Sequence, residues 1–100
     1  MANTFKALYR GAAALTSTTL YTVPAATTTL VNSIIVVNTA ATSATYSLLL
    51  DDVALATTVI VPANDSAILD IKQVLATTKT IKGLASAITV SFHISGLEIT

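Results

Sequence analysis

The chain has 100 residues, 53% of them hydrophobic and 10% charged, with five basic side chains balancing five acidic ones. That length makes one domain and excludes two, and a chain of this size buries about 60 to 70% of its unfolded surface, enough for a core without covalent staples. The absence of cysteine excludes disulfides, zinc–thiolate centres and cysteine nucleophiles, while Lys6, Arg10, Lys72, Lys79 and Lys82 are too scattered for the basic patch that nucleic acid or an anionic membrane demands.

Eighteen Thr, seventeen Ala, twelve Leu, nine Val, nine Ile and eight Ser dominate the chain, and small and β-branched residues of this kind favour strands. Ordinary domains carry about 25% charged residues. Here the polar coat must be hydroxyl groups, which oppose self-association less than charge does, so partners are expected to cover much of the surface.

In chain order, residues 1–4 lack the basic stretch and apolar core of a secretory signal, and no apolar run approaches the ~18 residues of a membrane span. Residues 4–8 read as a strand. Residues 6–15 offer a helical alternative, but Ala12-Ala13-Ala14-Leu15 is short and follows Gly11, so a loop or single turn is the better reading. Phe5, Leu8 and Tyr9 fall outside the strongest sandwich pattern. Residues 1–15 are therefore expected to form an N-terminal contact arm, with residues 16–100 as a single β-sandwich domain.

Residues 18–23 form the next predicted strand, ended by Pro24-Ala25-Ala26. Residues 30–38 make a near-continuous apolar run, as in a strand covered on both faces. Strands over 45–50 and 54–61 flank Asp51-Asp52, and Pro62-Ala63-Asn64-Asp65 leads to a strand over 66–71, with a helical alternative over 69–75. A strand over 77–82 ends at Lys82-Gly83. Finally Ile88, Val90, Phe92 and Ile94 alternate with Thr89, Ser91, His93 and Ser95, which places the large apolar groups inward and Thr89, Ser91 and His93 outward. Gly96 then permits a bulge or a close approach before Leu97.

About eight short strands at spacings near ten residues predict an all-β fold. Val23-Pro24-Ala25-Ala26-Thr27 is echoed by Val61-Pro62-Ala63-Asn64-Asp65 thirty-eight residues later. Proline presets the first turn position and cannot donate to a ladder, so two matching strand ends suggest paired Greek keys, that is, a jelly-roll-like antiparallel β-sandwich.

Catalytic chemistry finds little to build on. His93 is the sole histidine, which excludes the common zinc sites and leaves any Ser-His-Asp arrangement resting on one outward side chain. Asp51-Asp52, with Asp65 and Asp70, matches no calcium loop and reads as a solvated turn. Ile94-Ser95-Gly96 lacks the first glycine of a nucleophile elbow, and Gly11, Gly83 and Gly96 form no phosphate cradle. Tyr9, Tyr21, Tyr46, Phe5 and Phe92 are too dispersed for a stacking platform. No cofactor is expected, and the chain is read as non-enzymatic.

Leu20-Tyr21-Thr22-Val23-Pro24-Ala25-Ala26-Thr27-Thr28, then Val31-Asn32-Ser33-Ile34-Ile35-Val36-Val37-Asn38, and finally Ser95-Gly96-Leu97-Glu98-Ile99 resemble small β-sandwich virion proteins of tailed bacteriophages, over residues 20–100. That turn commonly has glycine where this chain has Ala26, and a left-handed backbone there would cost an alanine about 1 kcal/mol. The resemblance implies a virion structural component, assembled in the host cytoplasm: a capsid decoration or cement protein, or else a tail or fibre accessory that binds a host receptor. Implied partners are copies of itself, a trimer being expected, and the major capsid protein or another virion protein. The contact residues expected from the pattern are Phe5, Leu8, Tyr9, Thr89, Ser91 and His93.

Overall fold

A computed structural model describes residues 3–100 and contains eight strands: β1 (Asn3–Ala12), β2 (Thr18–Thr22), β3 (Thr28–Asn38), β4 (Ala44–Leu50), β5 (Val53–Val61), β6 (Asp65–Leu75), β7 (Thr80–Ala85) and β8 (Val90–Ile99). They form two four-stranded antiparallel sheets, ordered β1-β8-β3-β6 and β2-β7-β4-β5. The pairs β4–β5, β3–β6, β2–β7 and β1–β8 are nested, each enclosing the one before. The chain is thus one long hairpin with its tip at Asp51-Asp52, rolled up so that β3–β8 and β4–β7 seal adjoining turns. This is a jelly roll, the architecture that the alternation and the repeated proline turn predicted.

Alternation supplies the core. Val90, Phe92 and Ile94 of β8 and Ile34 and Val36 of β3 point inward against Tyr46 and Leu48 of β4 and Ile81 of β7, all of them buried. Phe92 meets Tyr46 edge to face, centroids 6.3 Å apart at 75°, the offset geometry that the ring quadrupoles prefer.

The two proline turns occupy equivalent corners, each carrying the chain from the β2-β7-β4-β5 sheet to the other. Val23 and Val61 are buried ahead of the prolines, and Ala26 and Asn64 share left-handed φ values of 54° and 53°. At the first corner, the Val23 amide donates to the Lys79 carbonyl at 2.9 Å, and the Thr77 hydroxyl donates to the Thr27 carbonyl at 2.6 Å. At the second, buried Asn38 acts as a rivet. Its amide nitrogen donates to the carbonyls of Thr42 (2.9 Å) and Val61 (3.3 Å), while its oxygen accepts from the Ala40 amide (3.0 Å) and the Thr89 hydroxyl (3.3 Å).

The structure differs from the sequence expectations at three places and qualifies a fourth. Residues 3–12 are not an arm outside the sandwich: they form β1, paired with β8 from Asn3↔Ile99 to Ala12↔Ser91, while Met1 and Ala2 lie outside the described residues. Neither helical alternative is realised, since 69–75 belongs to β6 and 13–15 is loop. Ile88 is not a core residue. Ile88 and Thr89 sit in the turn before β8, and Ile88 is exposed, because the alternation in sequence runs past the point where the ladder starts. Within one copy of the chain, residues 30–38 are covered on one face only, so cover on the other would have to come from a partner. Extra residues bulge on both neighbours of β8, Leu8 on β1 and Asn32 on β3, and the second switches the inward set from Thr29 and Val31 to Ile34, Val36 and Asn38. Leu30, Ile35 and Val37 face outward.

Candidate interaction surface

The outer face of the β1-β8-β3-β6 sheet is ordered by cross-strand register. Phe5, Leu97, Leu30 and Val74 form one row across all four strands. Ala7, Ser95, Ser33 and Asp70 form the next, followed by Arg10, His93, Ile35 and Ile68, and then by Ala12, Ser91, Val37 and Ser66. Phe5 is 88% exposed, Ile68 71% and Val74 67%. Aliphatic and hydroxyl side chains thus alternate over this face, with Arg10, His93 and Asp70 among them, and the exposed apolar row makes it the candidate contact surface.

A groove of about 420 Å³ opens along the apolar row, lined by Phe5, Leu30, Leu97, Ser95, Arg10 and Ala7. It lies where the two bulges flank Gly96. A Cβ on Gly96 would stand 2.3 Å from the Leu30 carbonyl oxygen and 2.9 Å from Leu8 Cδ1, so only glycine lets β3 and β8 approach closely there.

Of the six expected contact residues, Phe5, Ser91 and His93 share this outer face. Leu8 does not: it is 7% exposed and belongs to the core, because the β1 bulge turns it inward. The Tyr9 hydroxyl donates to the Ala12 carbonyl at 2.9 Å, bracing its own strand. Thr89 is spent on the Asn38 rivet and presents no outward row. Leu30, Leu97, Ile68 and Val74, which sequence reading missed, complete the surface. Their periodicity signals a strand, but only the register reveals that they are neighbours.

The ionic groups of the turn between β4 and β5 are paired with lysines. Asp51 Oδ1 lies 3.6 Å from Lys79 Nζ and Asp52 Oδ1 2.7 Å from Lys82 Nζ. The hydrogen bond to Lys82 holds the Asp52 carboxyl below its ordinary range. Each carboxylate of this turn thus already has a cation, and among the described residues no three His, Asp or Glu side chains gather into a metal site. At the open end of the sandwich, the Tyr21 hydroxyl donates to Glu98 Oε2 at 2.5 Å and lies 2.9 Å from the Thr29 hydroxyl, with Lys6 Nζ 3.5 Å from Glu98 Oε1. Burial, reinforced by the Glu98 carboxylate, pushes the Tyr21 hydroxyl up to about 12. This cluster ties β2 to β1, β3 and β8. No family model matches the chain, and no curated protein or solved structure matches it either.

Proposed function

We propose that this chain is a non-enzymatic structural protein of a tailed-bacteriophage particle, a decoration or cement subunit that docks on the major capsid protein of the head through the outer face of the β1-β8-β3-β6 sheet. The observation that carries this reading is the row Phe5, Leu97, Leu30 and Val74, an apolar band that runs across all four strands of one sheet in a jelly roll poor in charge and rich in threonine. Burying methyls and hydroxyls against a shell costs far less than burying unpaired charge. A subunit that binds only the assembled shell stabilises it by mass action, repeated over many copies.

The test is sedimentation of the purified chain with phage heads that lack it, comparing wild type with Leu30→Glu. Leu30 points outward, so the variant should fold and yet remain in the supernatant while wild type pellets with the heads. Wild type that pellets with tails and ignores heads would shift the reading to a tail accessory. Binding to neither would sink it.

A further inference from the structure

Every lysine of this chain is held by a carboxylate, in the pairs Lys6–Glu98, Lys72–Asp70, Lys79–Asp51 and Lys82–Asp52. Arg10 is the remaining cation, and among the described residues no carboxylate side chain pairs with it. It is exposed on the outer face of the β1-β8-β3-β6 sheet, with His93 opposite it on β8. Asp70, the carboxylate in the outward rows, stands three strands away on β6 against Lys72. Asp65 pairs in register with buried Asn38 and so belongs to the opposite face of the sheet. Arg10 instead lines the groove formed by Phe5, Leu30 and Leu97, together with the Asn32 amide and the Ser95 hydroxyl. Neither of those two side chains is hydrogen-bonded among the described residues. We infer that the groove receives an extended segment of the shell protein in which an apolar side chain, seated among Phe5, Leu30 and Leu97, lies two residues from an Asp or Glu whose carboxylate pairs with Arg10.

The chemistry of the groove selects this occupant. A wholly apolar segment would strip water from Arg10 and leave its charge unpaired, which is costly. A wholly acidic one would leave the apolar row uncovered. A guanidinium grips a carboxylate through two parallel N–H donors, and such charge-assisted bonds are about twice as strong as neutral ones. The register sets the spacing. His93, in the row of Arg10, lies four residues along β8 from Leu97 in the apolar row, about 13 Å at the strand rise. The Arg10 side chain covers part of that distance. The remainder matches the ~7 Å between residues i and i+2 of an extended segment, which point to the same side. Ser95 stands in the row between the two, and the β3 bulge leaves Asn32 exposed beside Ser33. Both can bond the backbone of the segment, whose every non-proline residue carries a donor and an acceptor. This contact rests on the head-docking reading above: the sheet face supplies the apolar area, and Arg10 selects among the segments that could cover it.

The experiment titrates the isotope-labelled full chain with the capped peptide acetyl-Thr-Leu-Thr-Asp-Thr-amide and follows the backbone amide chemical shifts. It is repeated with the peptide carrying Asn in place of Asp, and with Arg10→Gln and Arg10→Lys, thermal unfolding being the check on folding. Shifts should gather at Phe5, Arg10, Asn32 and Gly96. Removing either charge should weaken binding by about tenfold or more, while Arg10→Lys should keep part of it, since an ammonium attracts the carboxylate without gripping it in two places. A wild type that ignores the Asp peptide, shifts that gather elsewhere, or equal binding of the Asp and Asn peptides overturns the inference. Sedimentation with phage heads separates this contact from the reading beneath it. Wild type and Arg10→Gln pelleting equally well with heads would overturn the Arg10 contact alone. Arg10-dependent peptide binding by a chain that pellets with no virion part would overturn the virion reading alone.

Discussion

Ala26 and Asn64 stand at matching corners of the roll with the same left-handed backbone, φ 54° and 53°. Asparagine tolerates this conformation through its short polar side chain, whereas alanine is strained by its Cβ. Ala26→Gly should therefore stabilise the protein by about 1 kcal/mol, raising the midpoint of thermal unfolding by ~4–8 °C for a domain of this size. Asn64→Gly should gain less. Urea titration with an unchanged slope is the measurement, and a loss of stability in Ala26→Gly would refute the assigned strain.

Asn38→Ala should cost about 2 to 4 kcal/mol, since it strips a buried rivet and leaves several carbonyls unpaired. Thr89→Val removes only one peripheral hydroxyl and should cost less than about 1 kcal/mol. Equilibrium urea unfolding of the two variants separates the hub from its spoke, and equal losses would show that Asn38 is not central.

Gly96→Ala should destabilise by about 3 kcal/mol or more, because the obstacle is a backbone carbonyl that cannot step aside. Gly83→Ala meets only side-chain carbons of Leu20, Leu48 and Phe92, at 3.0–3.1 Å, and should be milder. Comparative thermal melts would decide the ranking.

Tyr21 makes alkaline stability measurable. Its folded value of about 12 lies above the ordinary 10, so the folded state holds this proton more tightly than the unfolded chain does. The stabilisation is complete below pH 10 and is lost as pH rises from about 10 to about 12. Burial also raises Tyr46, which adds a slope of the same sign. The informative quantity is thus the difference between wild type and Tyr21→Phe: urea midpoints taken from pH 9 to 12 should fall less steeply in the variant.

Strand count, sandwich architecture and the two equivalent corners were legible because each rests on local chemistry: alternation along 90–95, proline after a buried valine, and Asp51-Asp52 at the hairpin tip. What local patterning could not supply was parity across a bulge. The extra residue at Asn32 splits one apolar run into an inward and an outward set, and the one at Leu8 buries a residue expected at a contact. Residues 1–15 read as an arm because the partner of β1 is β8, at the far end of the chain. The candidate surface was half visible for the same reason, its Phe5, Ser91 and His93 being recognisable singly and its row not at all.

The nesting of the strand pairs also prescribes an order of assembly. Only β4–β5 closes across two residues. Every other pair must bridge whatever lies inside it, at an entropic cost that grows with the length of the intervening loop. Once the tip hairpin has formed, β3 and β6 are separated by a short structured unit instead of a flexible segment, and the same holds outward to β2–β7 and β1–β8. Loop closure thus favours a zipper that starts in the middle of the sequence, and the outer face of the β1-β8-β3-β6 sheet, which needs β1 and β8, is complete only when the outermost pair closes.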